Sequence, residues 1–319
     1  ALWCKENGVE FICTDHHKVN PKTMPDCLIL NPILHPNEDY RYLCGCGITY
    51  VLLRKLGGVF SCPYDLWYDL LALAGLATIC DIVPLNSVNH KIAKLGVKAL
   101  NKSKRPILAQ LLQSAGCDRE GADEQDIGFK LGPRINAVGR LDHGSKIVSA
   151  FIENKSESLL EYMKVCNEER KEIQEQIWEE AFVLAEAQKE QEIIFIGGDW
   201  HQGVVGIVAS RLAEHYWKPV WLYSLSTPSL FKGSSRSIPG FDVTEAMSCC
   251  SKFFKKYGGH AAAGGFSFDP ENKDKIHQGL LLYAQDKKSK NESLWVSSID
   301  YDCSLSLNFY ANFCCFVLL

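Results

Sequence analysis

Residues 157–188 form the longest periodic stretch of this chain, and they limit what the remainder can fold into. Met163, Cys166, Arg170, Ile173, Ile177, Ala181 and Leu184 recur at spacings of three and four, which gives one narrow, mostly apolar helix face. The other faces are charged: between Glu157 and Glu190 ten Glu stand against four Lys and Arg. A thin stripe on so long a helix suits a connector between two domains, with a plain surface helix as the alternative. The chain has 319 residues, too many for one ordinary core. It suits two domains of about 150 residues each.

Both flanks of the long helix alternate strand-like and helix-like runs. In the first half, Val9 to Thr14 and Cys27 to Leu30 read as strands, the former as a buried one, and Leu43 to Leu56 and Asp65 to Ile79 as apolar helices. The second of these helices runs into Cys80-Asp81 and is ended by Pro84. Further helical pieces are expected at about 89–101, 105–115 and 124–131. A second unit opens at Glu192, with strands over Ile193–Gly197, Pro219–Leu225 and Leu230–Ser237, and a helix over Gly206–Tyr216. Asp242 is expected to cap a helix over Val243–Phe254, with Glu245 completing a capping box, and Gly265–Phe268 reads as a last strand. Such alternation predicts an α/β fold with a mainly parallel sheet in the first domain.

Composition excludes several classes. Hydrophobic residues at 46% and charged residues at 23% rule out a disordered or collagen-like chain. No apolar run reaches the roughly 20 residues of a membrane-spanning helix, so no membrane role is expected. The fourteen Cys are spread along the chain without paired C-x-x-C spacing, which predicts reduced, mostly buried thiols of a cytoplasmic protein. Net charge is −4, but the long helix holds the acidic excess and leaves the rest slightly basic, so a local positive groove is compatible with it. Ala1 opens the chain without a charged-then-apolar leader, and a start inside a longer protein is expected.

Six runs could carry chemistry. Thr14-Asp15-His16-His17 sits where the first strand ends, the edge at which open α/β sheets place ligands. A carboxylate beside two imidazoles suits Mn²⁺, Mg²⁺ or Zn²⁺; the bland alternative is a solvated turn. Two adjacent His do not easily point at one ion, so one is expected to bind metal while the other faces a phosphate. Asp81, between an apolar helix and a Val-Pro turn, either meets a cation or caps the next turn. Arg134, Asn136 and Arg140 in GPRINAVGRLD could bind a phosphodiester through forked donors or could pair structurally with acids. In the second half, His201 precedes a helix whose free N–H groups favour an anion. Lys232-Gly233-Ser234-Ser235-Arg236 mixes hydroxyls with cations, and Gly258-Gly259-His260 lets a ligand approach the backbone closely.

In order, TDHH, ATICDIVPL, GPRINAVGRLD, HQGVVGIVASRL, the GSSRSIPGFD run and GGHAAAGG resemble the RecJ exonucleases of the DHH phosphoesterase superfamily, over roughly residues 1–290. That resemblance implies a DHH domain over 1–155, a connecting helix over 156–190, a smaller α/β DHH-associated domain over 191–288 and the start of an OB-type domain over 289–319. It implies a single-stranded-DNA-specific 5′→3′ exonuclease of DNA repair and recombination, using two Mn²⁺ or Mg²⁺ ions and acting as a monomer. A single-strand-binding protein and a repair helicase are the implied partners. His16, Asp81 and Asp15 match the metal-site positions, and His17 the one facing the scissile phosphate. Arg134 and Arg140 match the run beside the DNA path; His201, Ser234, Arg236, Gly258, Gly259 and His260 match the nucleic-acid-holding runs of the associated domain.

The family also places a D-x-D strand and another Asp upstream of TDHH, which this chain lacks. Little or no nuclease activity is therefore expected of these 319 residues alone. Two rival expectations remain: a DHH phosphoesterase of short oligonucleotides or cyclic dinucleotides, and a non-catalytic nucleic-acid-binding relative.

Overall fold

The computed structural model describes residues 1–17, 19, 24–35, 38–59, 63–118, 120–154 and 157–298; residues 299–319 of the expected OB-type segment lie outside them. The chain divides into two compact units, 1–175 and 176–319. No helix among the described residues is long and apolar enough to cross a membrane.

The first unit opens with a short helix α1 (Leu2–Glu6) and two strands, β1 (Ile12–Thr14) and β2 (Leu28–Leu30). The strands pair in parallel with Ile12 opposite Leu28, and the Asp15 N–H extends the ladder to the Leu30 carbonyl at 3.1 Å. The expected strand from Val9 is shorter and not buried: Val9, Phe11 and Ile12 are exposed and only Cys13 turns partly inward. An apolar run signals burial only where a second layer covers it, and β1 pairs with one strand alone among the described residues.

The rest of this unit is helical: α2 (Gly45–Leu56), α3 (Tyr64–Cys80), α4 (Ser87–Lys102) and α5 (Pro106–Ser114), then a π-helical turn over Asp126–Leu131, α6 (Gly132–Leu141) and α7 (Ser145–Glu153). The sequence YDLWYDLLALAGLATIC makes α3 apolar nearly all round, as befits a helix lodged between α2 and α4. Gly75 and Gly96 let the backbones of α3 and α4 touch, since a Cβ on Gly75 would lie 2.6 Å from the Gly96 Cα. The core gathers Leu76, Leu100, Leu108, Leu111, Leu112, Ile127 and Leu131, closed by Leu159, Met163 and Cys166 of the long helix α8 (Glu157–Glu186). Along α8 the stripe holds for Met163, Cys166, Ile177 and Ala181, but Ala185 takes the next buried place and Leu184 faces solvent.

The second unit is a five-stranded sheet in the order β3 (Ile194–Gly198), β4 (Val220–Ser224), β5 (Phe231–Arg236), β7 (Ala263–Phe268), β6 (Lys256–His260). Only β3 and β4 are parallel, joined through α9 (Val205–Tyr216); the other pairings are antiparallel. One face bears Phe195, Trp221, Tyr223 and Phe266, against α10 (Val243–Cys249) and α11 (Lys273–Lys290). The strand alternation sends Ser234 and Arg236 to the other face, where α9 lies over β4 and β5. Asp242 caps α10 through the Thr244 and Glu245 N–H groups at 2.7 and 3.0 Å. Glu245 does not close the expected box; its carboxylate accepts from Tyr283 and Lys287 of α11 instead. The described Cys are all unbridged, with Cys44, Cys117, Cys166 and Cys250 buried.

Candidate metal and nucleic-acid sites

In the first unit the DHH run is held as a turn by its own acid. Asp15 Oδ1 accepts from the His16 N–H at 2.8 Å, from the His17 N–H at 3.3 Å and from His17 Nδ1 at 2.7 Å. Partial burial pushes Asp15 up, but these hydrogen bonds outweigh it and hold the carboxyl below the ordinary carboxylate range. With Nδ1–H given to Asp15, a neutral His17 carries its lone pair on Nε2, and a protonated one carries a second donor there. Asn31, buried just beyond β2, donates to the His17 carbonyl at 2.9 Å while its own oxygen accepts from the Ile33 N–H at 3.0 Å. Sequence reasoning missed Asn31; the available signal was an Asn-Pro step directly after a strand.

Asp81 reaches this cluster from the C-terminal end of α3. His16 Nε2 lies 3.7 Å from Asp81 Oδ2, so two residues distant in sequence meet, while the His16 and His17 rings stack obliquely at 4.3 Å. Two ligands about 2.1 Å from one octahedral cation sit roughly 3 Å apart. The pair therefore fits as two neighbouring ligands of one divalent ion after a shift of under about an ångström. Among the described residues no group of three or more His, Cys, Asp or Glu side chains is arranged to hold a metal, so the remaining ligands of a two-ion centre are not found there.

His16 and Asp81 border a cavity of about 1090 Å³ whose wall includes Asn136, Gly139 and Arg140, the i, i+3, i+4 face of α6. Arg140 is half-buried, and that burial draws its guanidinium below the usual arginine value. Arg105 also lines the cavity, its Nη2 donating to the Phe151 carbonyl at 2.7 Å; sequence reading did not single it out. Cys46 and Cys80 line it too, their thiols pushed up to about 11, first by burial. Arg134 is not brought to this wall: its guanidinium donates to the Ser114 carbonyl at the end of α5. Asp142 braces instead of binding, taking hydrogen bonds from Lys146 and Tyr162 that hold its carboxyl well below the usual range.

In the second unit, His201 stands in the turn before α9, where its Nδ1 accepts from the Gly203 N–H at 3.2 Å. Gly206, in the first turn of α9, is pressed against β5: a Cβ there would meet Arg236 Nη2 at 3.0 Å and Ser234 Oγ at 3.2 Å. Arg236 is oriented by Ser210 Oγ, 3.0 Å from its Nε, and by the Ser235 carbonyl, 2.8 Å from Nη1. Gly258, Gly259 and His260 form part of strand β6, which the sequence did not signal; His260 pairs with Ala263 across to β7. Gly259 has a φ of +143°, and a Cβ on it would lie 2.3 Å from the Ala263 carbonyl oxygen. This unit thus brings Ser234, Arg236 and His260 to one sheet face, with small residues between them.

The DHHA1 domain model matches residues 184–285. The single-stranded-DNA-specific exonuclease RecJ of Bacillus subtilis is 32% identical over 316 residues, covering 96% of this chain and 39% of that protein. RecJ of Escherichia coli is 34% identical over 298 residues, covering 85% and 51%. The chain therefore spans about half, or less, of the length of these relatives. Among solved structures, RecJ in complex with Mn²⁺ from Thermus thermophilus superposes with a TM-score of 0.78 at 29% identity, over 88% of this chain and 42% of that one. A RecJ exonuclease bound to manganese gives 0.74 at 28% identity, over 92% and 74%. By sequence and by fold, the chain is similar to the RecJ exonucleases over most of its own length.

Proposed function

We propose that this chain carries core parts of a metal-dependent exonuclease that hydrolyses phosphodiester bonds of single-stranded DNA from the 5′ end. The observation that carries the reading is the approach of His16 Nε2 to Asp81 Oδ2, at 3.7 Å, on the wall of a cavity that also presents Arg140. His16 and Asp81 would hold a divalent ion, Mn²⁺ or Mg²⁺, with Asp15 shaping the turn that carries His16. When bound, such an ion supplies Lewis acidity and an activated water. The chain's own residues do the rest. Asp15 fixes the tautomer and direction of His17, whose Nε2 faces a non-bridging phosphate oxygen. Arg140 adds a forked donor for the neighbouring phosphate. Ser234, Arg236 and His260 hold the strand or its 5′ end on the second unit, with the His201 turn and the Gly258-Gly259 strand beside them. The relatives' printed name, single-stranded-DNA-specific exonuclease, supports the substrate; the 5′→3′ polarity, and a monomeric, cytoplasmic protein working beside a single-strand-binding protein and a repair helicase, are what the resemblance implies.

The test compares the 319-residue chain with a version extended upstream, on a 3′-labelled single strand with Mn²⁺. Stepwise loss from the 5′ end by the extended protein is expected, with His16→Ala or Asp81→Ala lowering the rate at least about a hundredfold. Little activity is expected of the chain alone. Unchanged cleavage in either variant, or preferential turnover of a dinucleotide, would overturn the assignment.

A further inference from the structure

In the second unit, α9 covers the Ser234–Arg236 face over β4 and β5, whereas further along the sheet Gly265 of β7 and all five residues of β6 are exposed and Ser267 is buried. In-register pairing lays three rows across β5, β7 and β6 there: Arg236–Ala263–His260, Ser234–Gly265–Gly258 and Lys232–Ser267–Lys256. The middle row is a floor without side chains beyond Ser234. A Cβ on Gly258 would meet nothing within 4 Å, and one on Gly265 nothing closer than the Gly233 carbonyl at 4.0 Å. Lys232 and Lys256 flank a groove of about 460 Å³ that Gln202 and Ser267 also line. Among the described residues neither lysine has an ion-pair or hydrogen-bond partner, whereas the adjacent Lys255 is held by Asp269 at 3.0 Å.

Two exposed ammonium groups on strands about 10 Å apart, with a hydroxyl residue between them, can converge on one anion; the carboxylate beside them, Asp269, is taken by Lys255. The rows step along the strands by about 7 Å, the order of one backbone repeat of an extended single strand. The last row therefore falls where a further phosphate would follow one bound at Arg236 and His260.

We propose that Lys232 and Lys256 jointly hold one backbone phosphate, two repeats from the group held by Arg236 and His260, so that this sheet face grips about three consecutive nucleotides of an extended strand. The inference rests on the nucleic-acid reading of the second unit, and adds to it two residues and a minimum ligand length. A dinucleotide cannot reach both ends of this track.

The whole 319-residue chain is titrated, in EDTA, with 5′-phosphorylated, dye-labelled oligothymidylates of two, four and eight nucleotides, read by anisotropy over a range of KCl concentrations. Affinity is expected to rise about tenfold or more between the two- and four-nucleotide ligands. Lys232→Gln/Lys256→Gln should abolish that step and make the slope of log K on log salt shallower by about 0.7, one phosphate contact on a single strand. Lys232→Arg/Lys256→Arg should restore both, and Lys255→Gln should leave the step in place. A double Gln variant with the wild-type step and slope would overturn the proposal. Failure of the unaltered chain to bind any of the three ligands would instead defeat the nucleic-acid reading, and the proposal with it.

Discussion

Ile82 follows Asp81 directly and adopts a φ of +54°, a region that a β-branched side chain enters only under strain. Its side chain is 89% exposed, so almost no burial offsets that cost. Glycine takes the same turn without the clash, and Ile82→Gly is expected to stabilise the protein by about 1 kcal/mol in urea unfolding, the strain relieved less the backbone entropy of Gly. A destabilised variant would show that the Ile82 turn stores no such strain. A second residue sets a pH limit. His277 stacks on Phe195 at 5.3 Å and pairs through Nε2 with Gln191 Oε1 at 3.0 Å; burial lowers its pKa below the ordinary 6.5. The unfolded chain then takes up the proton first, so this contribution is full above pH 6.5 and is lost as pH falls from there through the depressed folded value. His277→Gln should flatten the melting-temperature profile across that window, and an unaltered slope would count against the assignment.

At the scale of elements, the site depends on how α3 delivers Asp81 to the end of β1. Gly75 and Gly96 set that helix crossing, and a Cβ on Gly96 would lie 2.5 Å from the Gly75 Cα. Gly96→Ala is therefore expected to destabilise by about 1–3 kcal/mol, as overpacking does, despite the better helix propensity of Ala. Loss of His16–Asp81 proximity should accompany it, read as weaker Mn²⁺ binding. Asp142 ties the end of α6 to Lys146 in α7 and Tyr162 in α8, and its carboxyl is held well below the ordinary 3.8. A depressed acid stabilises above its unfolded pKa and loses that contribution as pH falls through the folded value. Asp142→Asn should thus lower the melting temperature at neutral pH and remove part of the acid transition below about pH 4. Equal acid sensitivity in both proteins would show that the brace contributes nothing. Several of these elements were legible in the letters. Periodicity marked α2, α3, α8 and α9, and the D-x-x-E signal marked the start of α10. Strand β6 was not legible, because Gly-Gly-His has the composition of a turn and becomes a strand only by pairing with β7. Helix α11 was equally hidden, its Lys-rich surface masking the spaced Ile276, Leu280 and Ala284 that it buries.

Across the whole molecule, charge is the property that the average conceals. The net charge is −4, and the acidic excess lies on the long helix, yet Lys232, Lys256, Arg236 and His260 share one face of one sheet. Affinity for a single strand should accordingly fall steeply as salt rises, even though the protein as a whole is an anion. A salt-independent affinity would place the contacts elsewhere. The order of motifs along the chain was enough to point to the RecJ resemblance, to a two-unit chain and to candidate residues for each site, because those follow from local pattern and spacing. Only the folded chain decided which of them meet. His16 and Asp81 converge, while Arg134 turns to the Ser114 carbonyl and Arg140 to the cavity, although both arginines occupy the same helix. The reason is that a side chain's direction depends on helix phase and on which neighbours it packs against, and a linear run of letters carries the first only approximately and the second not at all.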